Sequence, residues 1–409
     1  MKQQKNKEPP GETMKKEQKG QKGQNGQNGQ NGKKLRILVL YGGKSGEHEV
    51  SLRSAASVIR HLDRTLYEII PVGIDKKGVW RLGGFGQTEQ GATDKGSAAP
   101  KIQESLTIQE NAPILVPGDF KSLGIDVVFP VMHGPLCEDG AIQGLFELAE
   151  IPYVGSGVLG SAAGMDKDVS KRLARDGGLP IVPFIALKQG RWLQGAQDGV
   201  QDVVQEVFGQ VATQLSYPVF VKPANLGSSV GVHKVKAPGQ LKAAIDDAFR
   251  YDTKILIEKA IHAREIEFAV LENPIFGEPA QVSIPGEIAP THEFYSYEAK
   301  YLDNQGAKLL IPAPLTPGQI AQGTQIARQA FELIECEGMA RVDLFLDRDT
   351  GAFYFNEVNT IPGFTSISMY PKMWEHSGIA YGELLTRLVD LALARHERKQ
   401  GFVREYHEG

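Results

Sequence analysis

The segment that follows Arg341 contains the pattern that most constrains the fold of this chain. Two runs of alternating apolar and polar residues, Val342–Leu346 and Ala352–Val358, flank the sequence Asp-Arg-Asp-Thr-Gly. Alternation with a period of two is typical of strands, and a short polar segment with Gly between two such runs is typical of a turn. The segment therefore predicts a β-hairpin.

Three oxygen-bearing side chains belong to this hairpin: Asp343, Glu357 and Asn359. Because strand side chains alternate between faces, Glu357 and Asn359 point the same way, and the hairpin can bring Asp343 beside them. Two carboxylates and an amide oxygen suit Mg²⁺, which prefers a few protein oxygens together with substrate phosphates. The alternative is a polar strand face turned to water, but it does not explain the Thr-Ile-Pro-Gly-Phe-Thr-Ser segment that follows. The pattern favours a metal site for phosphoryl chemistry.

Size and charge exclude several classes of protein. A chain of 409 residues can form two or three domains, and a net charge of −4 argues against nucleic acid as the main partner. No apolar run approaches the length needed to span a membrane. Cys137 and Cys336 are far apart in the sequence, so we expect neither a disulfide framework nor a zinc site, and both read as small buried hydrophobes. These features predict a cytoplasmic enzyme.

The chain divides into segments of different composition. Residues 1–34 are rich in Lys, Gln, Gly and Asn, include the repeat QNGQNGQNG, and predict a disordered tail without an export signal. A buried strand at Leu35–Leu40, a Gly-rich turn and a helix at Val50–Leu62 then form the first unit of a doubly wound α/β domain. Further predicted strands are Tyr67–Ile74, Asp126–Met132, Pro218–Pro223, Val230–Val235 and Lys254–Lys259, and further helices are Ala141–Ala149, Lys167–Arg175, Gln240–Arg250 and Tyr381–Arg398.

Glu47 lies in the Gly-rich turn, near the start of the first helix. The turn does not match a P-loop, because Leu38 stands where that motif needs Gly, and it lacks the G-x-G-x-x-G of a dinucleotide site. Glu47 is either a helix-stabilising carboxylate or an anion placed to bind a substrate ammonium. The local sequence leaves both possibilities open.

Lys222 lies in an apolar strand before the turn Ala-Asn-Leu-Gly-Ser-Ser-Val-Gly. Backbone N–H groups in such a turn can surround phosphate oxygens, and the lysine adds a positive charge. The alternative is an ordinary hairpin with an exposed lysine. A lysine within an apolar strand is costly without an anionic partner, which favours a phosphate site.

Two other segments give weaker signals. Glu258 and Lys259 end an apolar strand, with Glu265 shortly after, as expected for an adenosine pocket that needs backbone groups and a ribose carboxylate. Charged strand ends are also common in ordinary proteins, and Lys167 would fit any solvated helix. The polar loop around Glu298-Ala-Lys-Tyr301 is either a lid over a site or a plain surface excursion.

Together these segments resemble the D-alanine–D-alanine ligases of the ATP-grasp superfamily. The matching segments appear in the family's order over about residues 35–395; they are GGKSGEHEVS, HGPLCEDG, GSGVLGSAAGMDK, VKPANLGSSVG, LIEKAIHAREIEFAV, FYSYEAKYL, ARVDLF and FNEVNTIPGFTSISM. The resemblance implies an α/β (α+β) ATP-grasp fold, with a Rossmann-like domain at 35–155, a central lobe at 156–261, a C-terminal lobe at 262–398 and a tail at 399–409.

The resemblance also implies a reaction. ATP and two D-alanine molecules would give D-alanyl-D-alanine, ADP and phosphate through an acylphosphate, as a cytoplasmic step supplying peptidoglycan precursors. ATP would be the co-substrate with two Mg²⁺ ions, which Mn²⁺ could replace, and the enzyme would be a homodimer. Tyr301 predicts D-alanine as the second substrate, because relatives that make D-alanyl-D-lactate tend to carry Phe there. Cys137 departs from the Gly that the family usually has in its loop.

The resemblance assigns roles by position. Glu47 would bind the first D-alanine ammonium, with His133 nearby, and Ser228 and Tyr301 would close over the substrates. The oxyanion would be stabilised by Arg341 and the Gly363 N–H, and the second carboxylate would be received by Ser368 with Met369. The metal ions would be held by Asp343, Glu357 and Asn359. The nucleotide would be lined by Lys167, Lys222, Glu258, Lys259, Ile261 through its backbone, Glu265 and, from the mobile loop, Lys300.

Two other functions stay open at this point. One is a related ATP-grasp carboxylate–amine ligase that forms D-Ala-D-Lac or D-Ala-D-Ser, against which Tyr301 and Ser368 speak. The other is a nucleotide-binding module without catalysis, against which the intact set Asp343, Glu357 and Asn359 argues.

Overall fold

Three β-sheets organise the part of the chain that the structure describes. The computed structural model describes residues 33–83, 105–197, 201–290 and 307–405. The strands are β1 (Leu35–Gly42), β2 (Tyr67–Ile74), β3 (Trp80–Leu82), β4 (Val127–Val131), β5 (Phe184–Lys188), β6 (Val219–Pro223), β7 (His233–Val235), β8 (Lys254–Lys259), β9 (Ala263–Leu271), β10 (Gln281–Val282), β11 (Gly286–Pro290), β12 (Ala307–Leu310), β13 (Met339–Asp347) and β14 (Phe353–Asn359).

Helices cover these sheets and connect them. A single π-helical turn, Val211–Leu215, extends the sixth helix. The α-helices within the described ranges are α1 (His48–His61), α2 (Ala141–Leu148), α3 (Val158–Met165), α4 (Lys167–Asp176), α5 (Gln189–Gln197), α6 (Gln201–Gln210), α7 (Pro238–Ala248), α8 (Pro317–Leu333), α9 (Met369–His376) and α10 (Tyr381–Gln400).

The first sheet has the strand order β3-β2-β1-β4. Strand β1 is apolar and buried along most of its length and pairs in parallel with β2 and β4, as a doubly wound unit requires. The short strand β3 pairs antiparallel with β2 at the edge. The predicted strands β1, β2 and β4 and the helix α1 are therefore present, with ends shifted by one or two residues.

The second sheet is antiparallel, with the order β5-β8-β6-β7. The strand predicted from Val230 begins only at His233. The reason is the preceding turn, in which Ser228, Ser229 and Gly231 have φ values of 55°, 59° and 69°. Left-handed backbone of this kind cannot continue a strand, so the turn is longer than the sequence pattern predicts.

The third sheet contains the predicted hairpin. Its order is β12-β11-β9-β13-β14, with β10 also paired to β9. Asp343 is in register with Glu357 across the hairpin, and Arg341 with Asn359. On the other side, Asp343 is in register with Glu267 of β9. Directly opposed residues share a face of the sheet, so the acidic side chains of three adjacent strands lie side by side.

One hydrophobic cluster joins the first sheet to the third. It includes buried side chains of β1, β4, α1, β9, α9 and α10. Phe364 is fully buried in it and meets the Phe129 ring edge-on, with ring centroids 6.0 Å apart. This packing holds the segment after the hairpin against the first sheet.

Helix α8 was not predicted from the sequence and packs on the other face of the third sheet, against β9 and β13. Its start is fixed by a capping box: the Gln319 N–H donates to the Thr316 hydroxyl, and the Gln319 side chain accepts from the Thr316 N–H. Cys137 and Cys336 are both buried free thiols, as predicted.

Over the described ranges, no helix is long and apolar enough to cross a membrane. The described residues from Lys34 onward form one compact unit. The division of this unit into a domain and two lobes at 155 and 261 stays a prediction, as does the disordered tail, which lies outside the described residues apart from Lys33 and Lys34.

Candidate functional site

Glu47 faces a turn of the second sheet rather than its own helix. It is the N-cap residue of α1, yet its side chain makes no capping hydrogen bond. Instead, the Ser228 hydroxyl donates a hydrogen bond to Glu47 Oε1. A β-carbon added to Gly134 would lie 2.9 Å from Glu47 Oε2, and one added to Gly227 would lie 3.2 Å from it. Glycines on two separate loops therefore make room for this carboxylate.

Lys167 connects the same turn to the hairpin. Its Nζ donates to the Leu226 carbonyl at 2.9 Å and forms an ion pair with Glu357 Oε2 at 3.1 Å. The Lys167 side chain is 12% exposed. The sequence left Lys167 as a residue that any solvated helix could carry, whereas the structure places it between the turn and the hairpin.

Asp343 lies at the centre of the hairpin face. It accepts two hydrogen bonds from Arg341, each 2.7 Å long, and one of 2.9 Å from Asn359 Nδ2. Arg341 Nε also lies 3.3 Å from Glu267 Oε2, in a second ion pair. Burial by itself would lower the pKa of Arg341, but Asp343 and Glu267 raise that pKa well above its ordinary value. Arg341 is therefore a permanent cation.

The donor set of this face fits a hard divalent cation. Asp343 and Glu357 bring carboxylate oxygens together from adjacent strands, and Asn359 adds an amide at hydrogen-bond distance from Asp343. Within the described ranges, no three His, Cys, Asp or Glu side chains are grouped as a metal site. The predicted set contains only two residues of these types, Asp343 and Glu357. Asp343 is paired with Arg341, and Glu357 is paired with Lys167.

His133 is buried beside the loop that follows the hairpin. Its ring nitrogens contact Ser54 Oγ at 3.3 Å and the Ile361 carbonyl at 3.1 Å. Ser54 Oγ also accepts from the Phe364 N–H at 3.3 Å. Burial lowers the pKa of His133, although Glu47 acts in the opposite direction. Ser54 and His133 thus hold both ends of the segment that contains Gly363.

The segment after Phe364 leads into helix α9. Ser368 is its N-cap residue, and Ser368 Oγ accepts from the Thr365 N–H at 3.0 Å. A β-carbon on Gly363 would lie 2.7 Å from Ser368 Oγ, so the two predicted residues are neighbours. The Met369 side chain is buried in the core. Its contribution to a site would therefore come from its backbone N–H at the helix start.

Lys222 has an anionic partner within the protein. Its Nζ lies 2.9 Å from Glu258 Oε1, and the other carboxylate oxygen of Glu258 lies 2.9 Å from the Nζ of Lys171. Burial by itself would raise the pKa of Glu258, but the two lysines hold that pKa below its ordinary value. Lys259 is exposed at the end of β8. Ile261, in the link between β8 and β9, and Glu265, in β9, are half-buried.

Models of one ligase family match both parts of the chain. The D-ala D-ala ligase N-terminus matches residues 36–156, and the D-ala D-ala ligase C-terminus matches residues 173–390. The chain belongs to the D-alanine–D-alanine ligase family. The family and the enzyme class that the sequence motifs predict are thereby confirmed.

Relatives and solved structures of the family cover most of the chain. It is 54% identical over 380 residues to D-alanine–D-alanine ligase A of Bradyrhizobium diazoefficiens, covering 91% of this chain and 99% of the relative. The ligase of Heliobacterium modesticaldum is 48% identical over 372 residues, covering 90% and 97%.

Two solved structures confirm the fold. The D-alanine-D-alanine ligase from Coxiella burnetii has a TM-score of 0.69 and 36% identity, covering 90% of this chain and 96% of its own. The VanG D-Ala:D-Ser ligase from Enterococcus faecalis has a TM-score of 0.69 and 32% identity, covering 88% and 100%. The ATP-grasp fold predicted from the sequence is the fold of these structures.

Apart from the Lys222–Glu258 pair and from Lys259, Ile261 and Glu265, the predicted ligase residues of the described ranges fall into three groups. Glu47 and Ser228 are in contact, as are Asp343, Arg341 and Asn359, and Lys167 links Glu357 to the Ser228 turn. His133, Gly363, Ser368 and the backbone of Met369 lie along the segment after the hairpin. Lys300 and Tyr301 lie outside the described residues. The roles of all these residues stay predictions.

Sequence reasoning missed four residues around these groups: Ser54, Lys171 and Glu267, which are buried, and Glu138, which is half-buried. Lys171 is one helical turn after Lys167, and Glu267 is two strand positions after Glu265, so helix and strand periodicity could have identified both. Glu138 accepts from the N–H groups of Gly134 at 2.8 Å and Ile361 at 3.3 Å. Only the tertiary structure reveals this contact.

Proposed function

We propose that this chain joins two D-alanine molecules to D-alanyl-D-alanine at the expense of ATP, for peptidoglycan precursor synthesis. The observation that carries the proposal is the position of Lys167. It bonds at once to Glu357 of the hairpin and to the turn that presents Ser228 to Glu47. Groups suited to metal, phosphate and a substrate ammonium therefore adjoin one another in a member of this ligase family.

Glu47 binds the ammonium of the first D-alanine. Its carboxylate has a hydrogen-bond donor in Ser228, and Gly134 and Gly227 leave space next to it. A cation beside a half-buried carboxylate gains more than it would in water, because the local dielectric is lower. His133 is close enough to Glu47 for the charge of Glu47 to act against the lowering of the His133 pKa by burial, and His133 and Arg341 orient the carboxylate of the same substrate.

The first chemical step is phosphoryl transfer. A carboxylate oxygen of the first D-alanine attacks the γ-phosphorus, the bond to the ADP oxygen breaks, and D-alanyl phosphate and ADP result. Such a transfer needs alignment and neutralisation of charge more than covalent help from the protein. Lys167 and Lys222 supply positive charge at the phosphates. Lys300, which is not among the described residues, is proposed to supply a third positive charge.

The second step is acyl transfer. The amine of the second D-alanine attacks the acyl carbon and loses a proton, the bond from that carbon to the phosphate oxygen breaks, and phosphate leaves. Arg341 and the Gly363 N–H stabilise the negative oxygen of the tetrahedral intermediate. Ser368 and the Met369 N–H, at the start of α9, bind the second carboxylate, since the start of a helix favours anions.

Asp343, Glu357 and Asn359 would hold two Mg²⁺ ions, or Mn²⁺ in their place. The bound ions would supply charge neutralisation for the terminal phosphates of ATP. Around the nucleotide, Glu265 binds the ribose and the backbone of Ile261 binds the adenine edge. The remaining nucleotide contacts come from Glu258, Lys259, Lys167, Lys222 and Ser228.

The cellular location, the oligomeric state and the domain division complete the proposal. The reaction takes place in the cytoplasm, where ATP is available. The enzyme is a homodimer, which size-exclusion chromatography with light scattering tests directly. The residues that carry out the reaction come from a Rossmann-like domain at 35–155, a lobe at 156–261 and a lobe at 262–398.

Product identification tests the function. The purified chain is incubated with ATP, Mg²⁺ and D-alanine, L-alanine, D-serine or D-lactate, alone and in mixtures, and the products are identified by mass spectrometry. We expect D-alanyl-D-alanine and stoichiometric phosphate release only with D-alanine. A main product containing D-serine or D-lactate would assign the chain to those ligases instead, and equal turnover of L-alanine would refute the proposed substrate.

A further inference from the structure

Lys171 is a fully buried lysine close to the nucleotide contacts. It lies on α4, one turn after Lys167, and its side chain has no exposed surface. Its Nζ is 2.9 Å from Glu258 Oε2 and 3.4 Å from the Phe355 carbonyl. Lysines are almost never buried to this degree unless they are paired, so the contact with Glu258 needs a physical account.

Lys171, Glu258 and Lys222 form a three-residue cluster with an excess positive charge. Each oxygen of the single carboxylate binds one lysine at 2.9 Å. The side chains are 0%, 4% and 10% exposed, so Lys222 is the member nearest to solvent. Two ammonium groups and one carboxylate give a net charge of +1 when all three are ionised. A buried cluster with unbalanced charge is costly until another anion joins it.

A purely structural role would explain only part of this arrangement. Lys171 does connect α4 to β8 and to the carbonyl of Phe355 in β14. One lysine is enough to neutralise Glu258, however, and a structural account gives no reason for the second, Lys222, on the more exposed side. The presence of two lysines is explained if one of them must move away from the Glu258 carboxylate during function.

We propose that Lys171 is a positioning residue for the nucleotide: it stays paired with Glu258, so that Lys222 can exchange Glu258 for a phosphate of ATP. This inference rests on the proposed function, because it needs ATP beside Lys222. Without Lys171, the departure of Lys222 would leave a buried carboxylate unpaired, which opposes nucleotide binding. With Lys171 in place, Glu258 keeps one ion pair throughout.

The first test is the variant Lys171→Met, which removes the charge and keeps much of the volume. A neutral Lys222–Glu258 pair remains, so we expect the chain to fold. The Kd for ADP and the KM for ATP should rise by at least about tenfold, whereas the KM for D-alanine should change by less than about twofold. An ADP affinity equal to that of the unchanged chain would overturn the proposal.

Lys254→Met is the matched control. Lys254 forms ion pairs with Asp166 at 2.7 Å and Asp168 at 3.0 Å, at the same junction of α4 with the second sheet, and its side chain is 16% exposed. It is not paired with Glu258. We expect its loss to affect thermal stability but not ADP affinity. An equal loss of affinity in both variants would assign Lys171 a structural role only.

A second substitution separates positioning from packing. In the Glu258→Gln background no carboxylate can be left unpaired, so adding Lys171→Met should change the Kd for ADP by less than about twofold. If Lys171 acted through packing, Lys171→Met would weaken ADP binding by the same factor in both backgrounds. The single variant Glu258→Gln provides the reference affinity.

A crystal structure of the unchanged chain with ADP tests the inference without any variant. Lys171 should stay at Glu258 while Lys222 Nζ moves to a phosphate oxygen. If Lys222 remained on Glu258, the proposal would be overturned. This result does not depend on whether Lys171→Met folds. The two proposals fail separately. A chain that binds ADP in this way but makes no D-alanyl-D-alanine refutes only the proposed function.

Discussion

Ser228 donates a hydrogen bond to the carboxylate of Glu47 across 181 positions of the sequence. The contact joins the turn between β6 and β7 to the start of α1, and hence the second sheet to the first. Ser228 adopts a φ of 55°, a conformation that residues other than glycine rarely take. Backbone strain of this kind is frequent at binding sites, where the surrounding structure maintains it.

Removal of this hydroxyl should weaken substrate use. For Ser228→Ala we expect kcat/KM for D-alanine to fall by about 10- to 100-fold, since a hydrogen bond to a charged group contributes about 1.5–3 kcal/mol. Steady-state phosphate release measures the effect. Ser229→Ala is the matched control, because Ser229 has a φ of 59° in the same turn, and it should retain most activity. Equal losses in both variants would indicate general damage to the turn.

Loss of Glu357 should abolish most turnover without unfolding the chain. In Glu357→Ala we expect kcat to fall by at least about 100-fold, because charge stabilisation at the phosphates is lost. Asp349→Ala, in the exposed turn of the same hairpin, should have little effect. Addition of a chelator should stop the unchanged enzyme, and Mg²⁺ should restore it. Unimpaired turnover of Glu357→Ala would contradict the metal assignment.

The carboxyl of the half-buried Glu138 should make the free energy of unfolding depend on pH. Burial, with the nearby charge of Glu47, raises the pKa of Glu138 from 4.5 to about 8. Between these two values the folded chain holds a proton that the unfolded chain has lost. The free energy of unfolding should therefore fall as pH rises from 4.5 to 8, by up to about 1.4 kcal/mol per pH unit from this group.

Glu138→Gln should remove this contribution, because its amide does not titrate. Chemical denaturation from pH 5 to pH 8.5 measures the difference between the variant and the unchanged chain. We expect the variant to gain stability relative to the unchanged chain as pH rises. Glu332→Gln, at an exposed position of α8, should show no such trend. A pH-independent difference for Glu138→Gln would contradict the raised pKa.

Ser54 should matter for both stability and turnover. It contacts the His133 ring and accepts from the Phe364 N–H, next to Gly363. Ser54→Ala should reduce the free energy of unfolding by about 1–3 kcal/mol, because a buried donor is left unpaired, and should also lower kcat. Ser161→Ala removes another fully buried hydroxyl, on α3, which donates to the Ser156 carbonyl. This control should affect stability alone.

Local sequence was sufficient wherever periodicity or a turn decides the structure. The hairpin β13–β14 was predicted because its two alternating runs and polar turn are contiguous, and the register of Asp343 with Glu357 follows from them. The first parallel strands were predicted because fully buried strands read as apolar runs. Helix α8 was missed, although Thr316-Pro317 and Gln319 form a recognisable helix start.

Charged residues were harder to assign. From the sequence, Lys222 needed an anion, and a phosphate was the favoured partner; in the structure Glu258 fills that place. Lys167 had no distinguishing local feature, yet it contacts two other elements. The energy of a charge depends on its burial and on its neighbours in space, and neither quantity is encoded within a few residues of the charge.

The order of motifs along the chain by itself determined the family and the ATP-grasp fold, because these depend on residue types at fixed short spacings, and it predicted a metal site at the hairpin. Only the tertiary structure decided that Ser228 meets Glu47, that Lys167 joins the turn to the hairpin, and that Lys171 and Lys222 share Glu258. These contacts join segments that are far apart in sequence, and the packing of separate sheets and helices creates them.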